Sequence, residues 1–242
     1  MCTLTFIPYL NGSVIITSNR DEDPSRPTSS NLQLKQHKNL EALLPVDQIA
    51  GGSWIACAQN GQIHCLLNGA FEQHKYDPPY QKSRGIVLLD SLHYASLQRF
   101  RTNYNFEGIQ PFTLVGLNMV KHTLEEVRYT GKYTTCKKIN PSKSHIWSAA
   151  QLYAPDAIRF RESLFQEFTQ HSPEPSPDEL LNFHKQSNLT DPDKGFVINR
   201  DEKVKTVSIT QVLGSDQILK MKYTDLEAKA QNSAELNFNS QY

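Results

Sequence analysis

The chain has 242 residues, with 25 Lys plus Arg against 25 Asp plus Glu and 38% hydrophobic residues. This length can bury a substantial core, and zero net charge leaves no global field that would favour nucleic acid or an anionic membrane surface. No apolar run reaches the length of a membrane span.

The opening stretch, Met1 to Glu22, reads as a hairpin. Thr3 to Pro8 and Ser13 to Ser18 are rich in Thr, Ile, Val and Phe, which favour strands. Asn11-Gly12 between them is a tight-turn signal. Taken as a two-residue turn, it sets Leu10 opposite Ser13, Thr3 opposite Arg20 and Cys2 opposite Asp21. Residues 23–50 are polar and proline-punctuated, with weak helical character from Leu32 to Leu44. A segment of this kind serves as a substrate loop or as plain surface covering.

A second hairpin pairs Ser53–Ala58 with Gln62–Asn68 around Asn60-Gly61. A two-residue turn there sets Cys57 opposite His64 and Cys65 opposite Ala56, so the two thiols fall on opposite faces and are not expected to bridge. Trp54 shares a face with Ala56 and Ala58. The loop after Asn68 carries His74, Tyr76 and Tyr80. Ser83 and Ser96 cap two predicted helices, and Phe112–Asn118, Leu124–Thr130 and Tyr133–Ile139 follow as strands. His145–Ala150 is a short strand, and Pro155 and Pro177 start two more helices. Phe196–Asn199, Thr206–Leu213 and Gln217–Tyr223 are the last strands. Residues 1–225 form one domain in this reading, and 226–242 a polar, frayed tail. Two strand blocks and two helix pairs indicate an α+β layered sandwich.

Asn-Arg-Asp-Glu occurs twice, at 19–22 and at 199–202. The second copy is a chance recurrence, a trace of duplication, or a means of ending Arg200 near the same pocket. The eight histidines are scattered and there is no Cys-x-x-Cys pair, so no metal site is expected. Without a Gly-x-Gly-x-x-Gly or phosphate-loop motif, no cofactor is expected either. The absence of a basic leader and of paired cysteines points to a reduced, cytoplasmic protein. The sequence leaves the oligomeric state open.

Cys2 is the candidate nucleophile. Removal of Met1 would leave a thiol and an α-amine on one residue, and that amine, with a pKa of about 7.7–8.0, can act as base near neutral pH. Arg20 and Asp21 would then flank the pair, or else form a solvated ion pair at a hairpin end. Asn68, ending its strand, could donate an N–H to an oxyanion or merely start a turn.

Met1-Cys2 with Asn19-Arg20-Asp21-Glu22 resembles the NRDE, or transport and Golgi organisation, family. Gly51-Gly52-Ser53-Trp54, Leu67-Asn68, Lys82-Ser83-Arg84-Gly85 and Thr206-Val207-Ser208-Ile209-Thr210 resemble its further blocks. That family is similar to N-terminal nucleophile hydrolases of the bile-salt hydrolase and penicillin V acylase type. The resemblance implies a four-layer αββα sandwich, with two mainly antiparallel sheets between helix layers. It also implies hydrolysis of a C–N or thioester bond in a small acyl substrate, with Cys2, Arg20, Asp21 and Asn68 catalytic. Trp54, His74, Ser148 and Arg200 are the substrate-binding candidates. Ser148-Ala149 stands where relatives carry a Ser-Asn pair, so the second oxyanion donor is missing. The alternative function is a non-catalytic carrier of haem or a lipid-like acyl compound on the same scaffold, with Cys2 and His74 touching the ligand.

Overall fold

The computed structural model describes residues 3–29, 31–187, 191 and 194–239. β1 (Thr3–Pro8) and β2 (Val14–Glu22) open a first sheet. The chain then crosses to a second sheet and lays down β3 (Gln33–His37), β4 (Leu40–Leu44), β5 (Ile55–Ala58) and β6 (Gln62–Asn68). Helices α1 (Arg84–Ser91) and α2 (Leu97–Asn103) follow, and β7 (Phe112–Asn118), β8 (Thr123–Tyr129) and β9 (Thr134–Ile139) complete that sheet. β10 (His145–Ser148) returns to the first sheet. After α3 (Pro155–His171) and α4 (Pro177–His184), strands β11 (Asn199–Arg200), β12 (Val204–Ser215), β13 (Ile218–Asp225) and β14 (Ala230–Asn237) finish it. The first sheet runs β10-β1-β2-β12-β13-β14 with β11 beside β12, and the second runs β3 to β9 in chain order.

The strand pairings are antiparallel throughout the described residues. Leu4, Phe6, Ile16, Val212 and Met221 of the first sheet meet Ile55, Cys57, Ile63, Cys65 and Val115 of the second in one buried layer. A second apolar layer joins the outer face of the second sheet to Val87, Leu88, Leu97 and Phe100 of α1 and α2. A third joins Ile7 and Ile15 to Phe165 on α3 and Leu180 and Phe183 on α4. These three apolar layers give a four-layer αββα sandwich, as expected. Each fully buried large apolar side chain contributes about 1.5–3 kcal/mol. The helix starts follow their sequence signals. The Ser83 and Ser96 hydroxyls accept from the N–H groups of Ile86 and Arg99, and Ser176 with Glu179 forms a reciprocal capping box.

Both predicted hairpin registers are one residue out. Thr3 pairs with Asn19 and not Arg20; Cys57 pairs with Ile63 and not His64. Each turn has three residues where two were expected. The Gly12 N–H donates to Tyr9 O at 3.0 Å and the Gly61 N–H to Ala58 O at 2.9 Å, with both glycines left-handed. Asn-Gly thus supplies the last two positions of a three-residue loop, whose closing residue must have positive φ. In consequence Cys57 and Cys65 share the inter-sheet face, where both are free thiols. Burial pushes both thiols up to about 12. The expected pairing of Cys2 with Asp21 involves a residue outside the described ones, and the register it assumed does not hold at Thr3.

Three further expectations change. Leu32–Leu44 forms the β3–β4 hairpin instead of a weak helix, with Leu40, Leu43 and Leu44 buried. The strand expected over 196–199 is reduced to Asn199–Arg200. The tail expected to fray pairs residue by residue with β13 from Ala230 to Asn237, and Leu236 and Phe238 are buried beneath it.

Candidate active site

Alternation along β2 sends neighbouring residues of Asn19-Arg20-Asp21 to different places. Asn19 points toward α4, where its Nδ2 donates to His184 O and Phe196 O at 3.0 and 2.8 Å. Its Oδ1 must therefore accept, and does so from His184 Nδ1–H at 2.5 Å. His184 Nδ1 is therefore the donor, and in the neutral ring its Nε2 accepts from Thr5 at 2.7 Å. Burial lowers the His184 pKa to about 3, consistent with a neutral ring. Asn19 is the pin that fastens β2 to α4.

Arg20 points the other way. Its guanidinium donates to Asp47 Oδ2 at 2.9 Å, Thr28 Oγ1 at 2.8 Å and Arg26 O at 3.2 Å. It also lies 4.6 Å from the Trp54 ring centroid. Asp47 is the anchor of this corner. Its Oδ2 also accepts from Arg26 Nε at 2.7 Å, and its Oδ1 takes the N–H groups of Ile49 and Ala50 at 3.1 and 2.8 Å. Burial alone would raise its pKa, but the Ala50 N–H, Arg26 and Arg20 hold it below the ordinary value.

Asp21 returns to the side of Asn19. Its Oδ2 accepts from the Tyr153 hydroxyl and its Oδ1 from Thr206 Oγ1. The Tyr153 ring is faced by two guanidiniums, Arg161 at 3.3 Å and Arg200 at 5.3 Å. Pairing between β2 and β12 slips between Thr206 and Ser208, opposite Asp21 and Arg20. This bulge re-aims the Thr206 hydroxyl at the carboxylate.

A cleft of about 120 Å³ opens beside Arg20, walled by Glu22, Arg26, Asp47, Trp54, Asn68 and the Ser83–Gly85 start of α1, among others. Of the predicted residues, Arg20, Trp54 and Asn68 meet here. His74 is not part of the wall; its backbone N–H and O pair with the Gln151 side chain, and burial and then the Arg84 charge lower its pKa. Trp54 lies on the inter-sheet side with Ile55, not on the Ala56 face, because regular β5 starts only at Ile55. Asp21 and Arg200 are absent from the wall; they gather around Tyr153. Arg200 donates to Leu152 O at 2.8 Å. Ser148 pairs with Thr3, and its hydroxyl is buried without a partner. Cys2 lies outside the described residues. Asp47, Tyr153, Arg161 and Thr206 are additions the sequence reading missed. Only Asp47 carried a local signal, an Asp followed by amides two and three residues on. A larger cavity of about 750 Å³ opens at the other end of the sandwich around Phe6, Tyr9, Met119 and Lys143, and it contains none of the predicted residues.

Two glycines set the cleft floor. A Cβ on Gly52 would stand 2.5 Å from the backbone carbon of Gly85, and one on Gly85 would stand 2.9 Å from Ser53 N. Gly52→Ala is therefore expected to push α1 outward and to cost about 1–3 kcal/mol. Thermal unfolding measures this, and an unchanged midpoint would mean that α1 is free to shift.

Residues 1–224 match the family described as Transport and Golgi organisation 2. The chain belongs to that family. A search of curated proteins finds no match. Solved structures of similar fold include an arginine-to-leucine variant of conjugated bile acid hydrolase from Clostridium perfringens. It is 10% identical at a TM-score of 0.57, over 99% of this chain and 98% of that one. The Caenorhabditis elegans orthologue of N-acylethanolamine-hydrolyzing acid amidase is 9% identical at 0.57, covering 87% and 92%. Penicillin V acylase from Agrobacterium tumefaciens is 8% identical at 0.50, covering 98% and 86%. This member of the Transport and Golgi organisation 2 family thus has the fold of N-terminal nucleophile hydrolases. Among its described residues no helix is long and apolar enough to cross a membrane, and no three His, Cys, Asp or Glu residues gather as metal ligands.

Proposed function

We propose that this chain is an N-terminal-cysteine hydrolase acting on a C–N (amide) or thioester bond of a small acyl substrate. The reading rests on one observation: consecutive β2 residues deliver a buried guanidinium and a buried carboxylate at the strand end that pairs with the start of β1. Cys2 immediately precedes that start in the sequence. In this reading, loss of Met1 frees the Cys2 α-amine, which takes the thiol proton as sulfur attacks the substrate carbonyl. The amine then gives the proton to the departing amine or thiol. Water releases the acid from the acyl-thioester, returning the sulfur to its starting state. Asp21, held by two hydroxyls, orients the amine. Arg20 supplies the positive charge that favours thiolate, and Asn68 donates to the oxyanion. The buried free thiols Cys57 and Cys65 support a reduced, cytoplasmic setting.

Intact mass of cell-derived protein should show Met1 removed. In a screen of acyl amides and thioesters, Cys2→Ala should fold normally by circular dichroism and lose all turnover. Hydrolysis by that variant at the parent rate would refute the proposal.

A further inference from the structure

A guanidinium with no carboxylate of its own lies against the Tyr153 ring. The buried stripe of α3 runs Ala157, Arg161, Phe165, so a charge occupies the middle of an otherwise apolar face. Arg161 is fully buried. Its Nε donates to Lys194 O at 3.3 Å and its Nη2 to Gly195 O. Its Nη1 is buried with no hydrogen-bond partner. None of the ion pairs among the described residues includes it. Two carbonyls can be served by a neutral donor, and a buried charge is costly unless something close by uses it.

The user close by is Asp21. The Arg161 guanidinium carbon stands 3.3 Å from the Tyr153 ring centroid, and the hydroxyl of that ring donates to Asp21 Oδ2. Asp21 is itself buried, and its other hydroxyl donor, Thr206, is neutral. One tyrosine therefore stands between a buried cation and a buried carboxylate. The face of an aromatic ring is the negative side of its quadrupole and the edge the positive side. A cation on the face draws density from the ring and makes the hydroxyl a stronger donor to the carboxylate. Arg20 does not fill this role, because it points the other way and engages Asp47 at 2.9 Å. Arg200 faces the same ring from farther off, at 5.3 Å, and is only half-buried. The turn after β10 sets Tyr153 in place, with its N–H donating to Ala149 O at 3.1 Å. Ser148 of β10 pairs with Thr3, the residue after Cys2.

We propose that Arg161 is a positioning residue of the hydrolytic centre, acting through Tyr153 to hold the Asp21 carboxylate where the Cys2 α-amine meets it. The proposal rests on the N-terminal-cysteine reading, in which Asp21 orients that amine and the amine takes the thiol proton. Loosening Arg161 then leaves less thiolate at Cys2 near neutral pH, although Arg161 touches neither the thiol nor the substrate.

The test needs no substrate. Iodoacetamide alkylates the full chain freed of Met1, and mass spectrometry reads the rate at each cysteine across a pH range of about 6 to 9. Cys136, half-buried with its thiol pushed up to about 11, is the internal reference. Arg161→Met removes the charge at similar length, and Tyr153→Phe keeps the ring but removes the hydroxyl. Each should slow Cys2 alkylation at neutral pH about tenfold and move its pH profile up by about one unit, with the Cys136 rate and the urea midpoint reporting the fold. Arg161→Lys, which keeps the charge, should recover part of the rate. The Arg161→Met, Tyr153→Phe double variant should be no slower than either single one, because both cut the same path. A folded Arg161→Met or Tyr153→Phe protein with the parent rate and profile at Cys2 would overturn the proposal. So would losses that multiply in the double variant, or an equal change at Cys136. Should Arg161→Met fail to fold, Tyr153→Phe decides on its own. A parent Cys2 no faster than Cys136 would remove the hydrolase reading and this proposal with it; a fast parent Cys2 indifferent to Arg161 and Tyr153 would remove the proposal alone.

Discussion

Asp47→Ala is expected to lower folding stability by about 3–5 kcal/mol, read from the urea midpoint at neutral pH. The side chains of Arg20 and Asp47 are only 3% and 10% exposed, so the change leaves a largely buried guanidinium without its nearest counter-charge. It also orphans the Ile49 and Ala50 amides and releases Arg26. Asp47→Asn should lose less, because its oxygen can still cap those amides. The pH dependence follows from the direction of the shift. The carboxyl of Asp47 is held below its ordinary value in the folded protein. Its contribution is therefore complete above an unfolded pKa of about 3.9 and disappears as pH falls through the lower folded value. A loss under about 1 kcal/mol would show that Glu22, 3.9 Å from Arg20, takes over the pairing.

A second large effect is expected on mild acidification, before any carboxylate titrates. His64 and His184 are wholly buried, and burial lowers each to about 3. His64 Nδ1 lies 2.7 Å from Ser91 Oγ, whose own proton goes to Leu88 O at 2.6 Å. Its Nδ1 must therefore be the donor, and the ring is neutral like that of His184. In the unfolded chain both rings take up protons below about pH 6.5, while the folded protein withholds them until about 3. Stability is thus fully present above pH 6.5 and declines toward 3. By pH 5 the two rings together should have removed about 4 kcal/mol, at about 2 kcal/mol each. Urea midpoints at pH 7.5 and 5.0 measure this. His64→Gln, which keeps a donor but cannot titrate, should halve the difference. A flat profile between those pH values would mean that the buried rings protonate without unfolding.

Much of the architecture could be read from the sequence, because alternation, Asn-Gly pairs, serine caps and prolines are local signals. Register could not. Whether Asn-Gly closes a two- or a three-residue loop depends on the asparagine's φ, since the glycine is left-handed in both; Asn11 and Asn60 are not left-handed here, and that single angle decides which side chains face one another. The β3–β4 hairpin was hidden because Leu34, Leu40, Leu43 and Leu44 mix strand and helix spacings, and β3 is an exposed edge strand. The motif at 19–22 showed that Arg20 and Asp21 matter together. It could not show that they serve different pockets, one completed by Asp47 and the other by Tyr153 and Thr206. The repeated tetrapeptide makes the same point. At 19–22 it lies in an extended strand. At 199–202 its Asp201 and Glu202 have φ of 52° and 56°, and Asn199 grips Glu202 across a turn. Four identical residues take opposite shapes because their neighbours differ.

The last strand has a mechanical consequence. Beyond β14, the Phe238 ring covers Gly61 at the tip of the β5–β6 turn, and the Asn239 N–H donates to Gln59 O at 3.1 Å. Phe238 and Asn239 therefore cross from one sheet and clasp the other. Nicking the backbone near Lys229 would unfasten this clasp, letting the two sheets gape at the wide-mouthed end while the Arg20 corner stays laced by its own ion pairs.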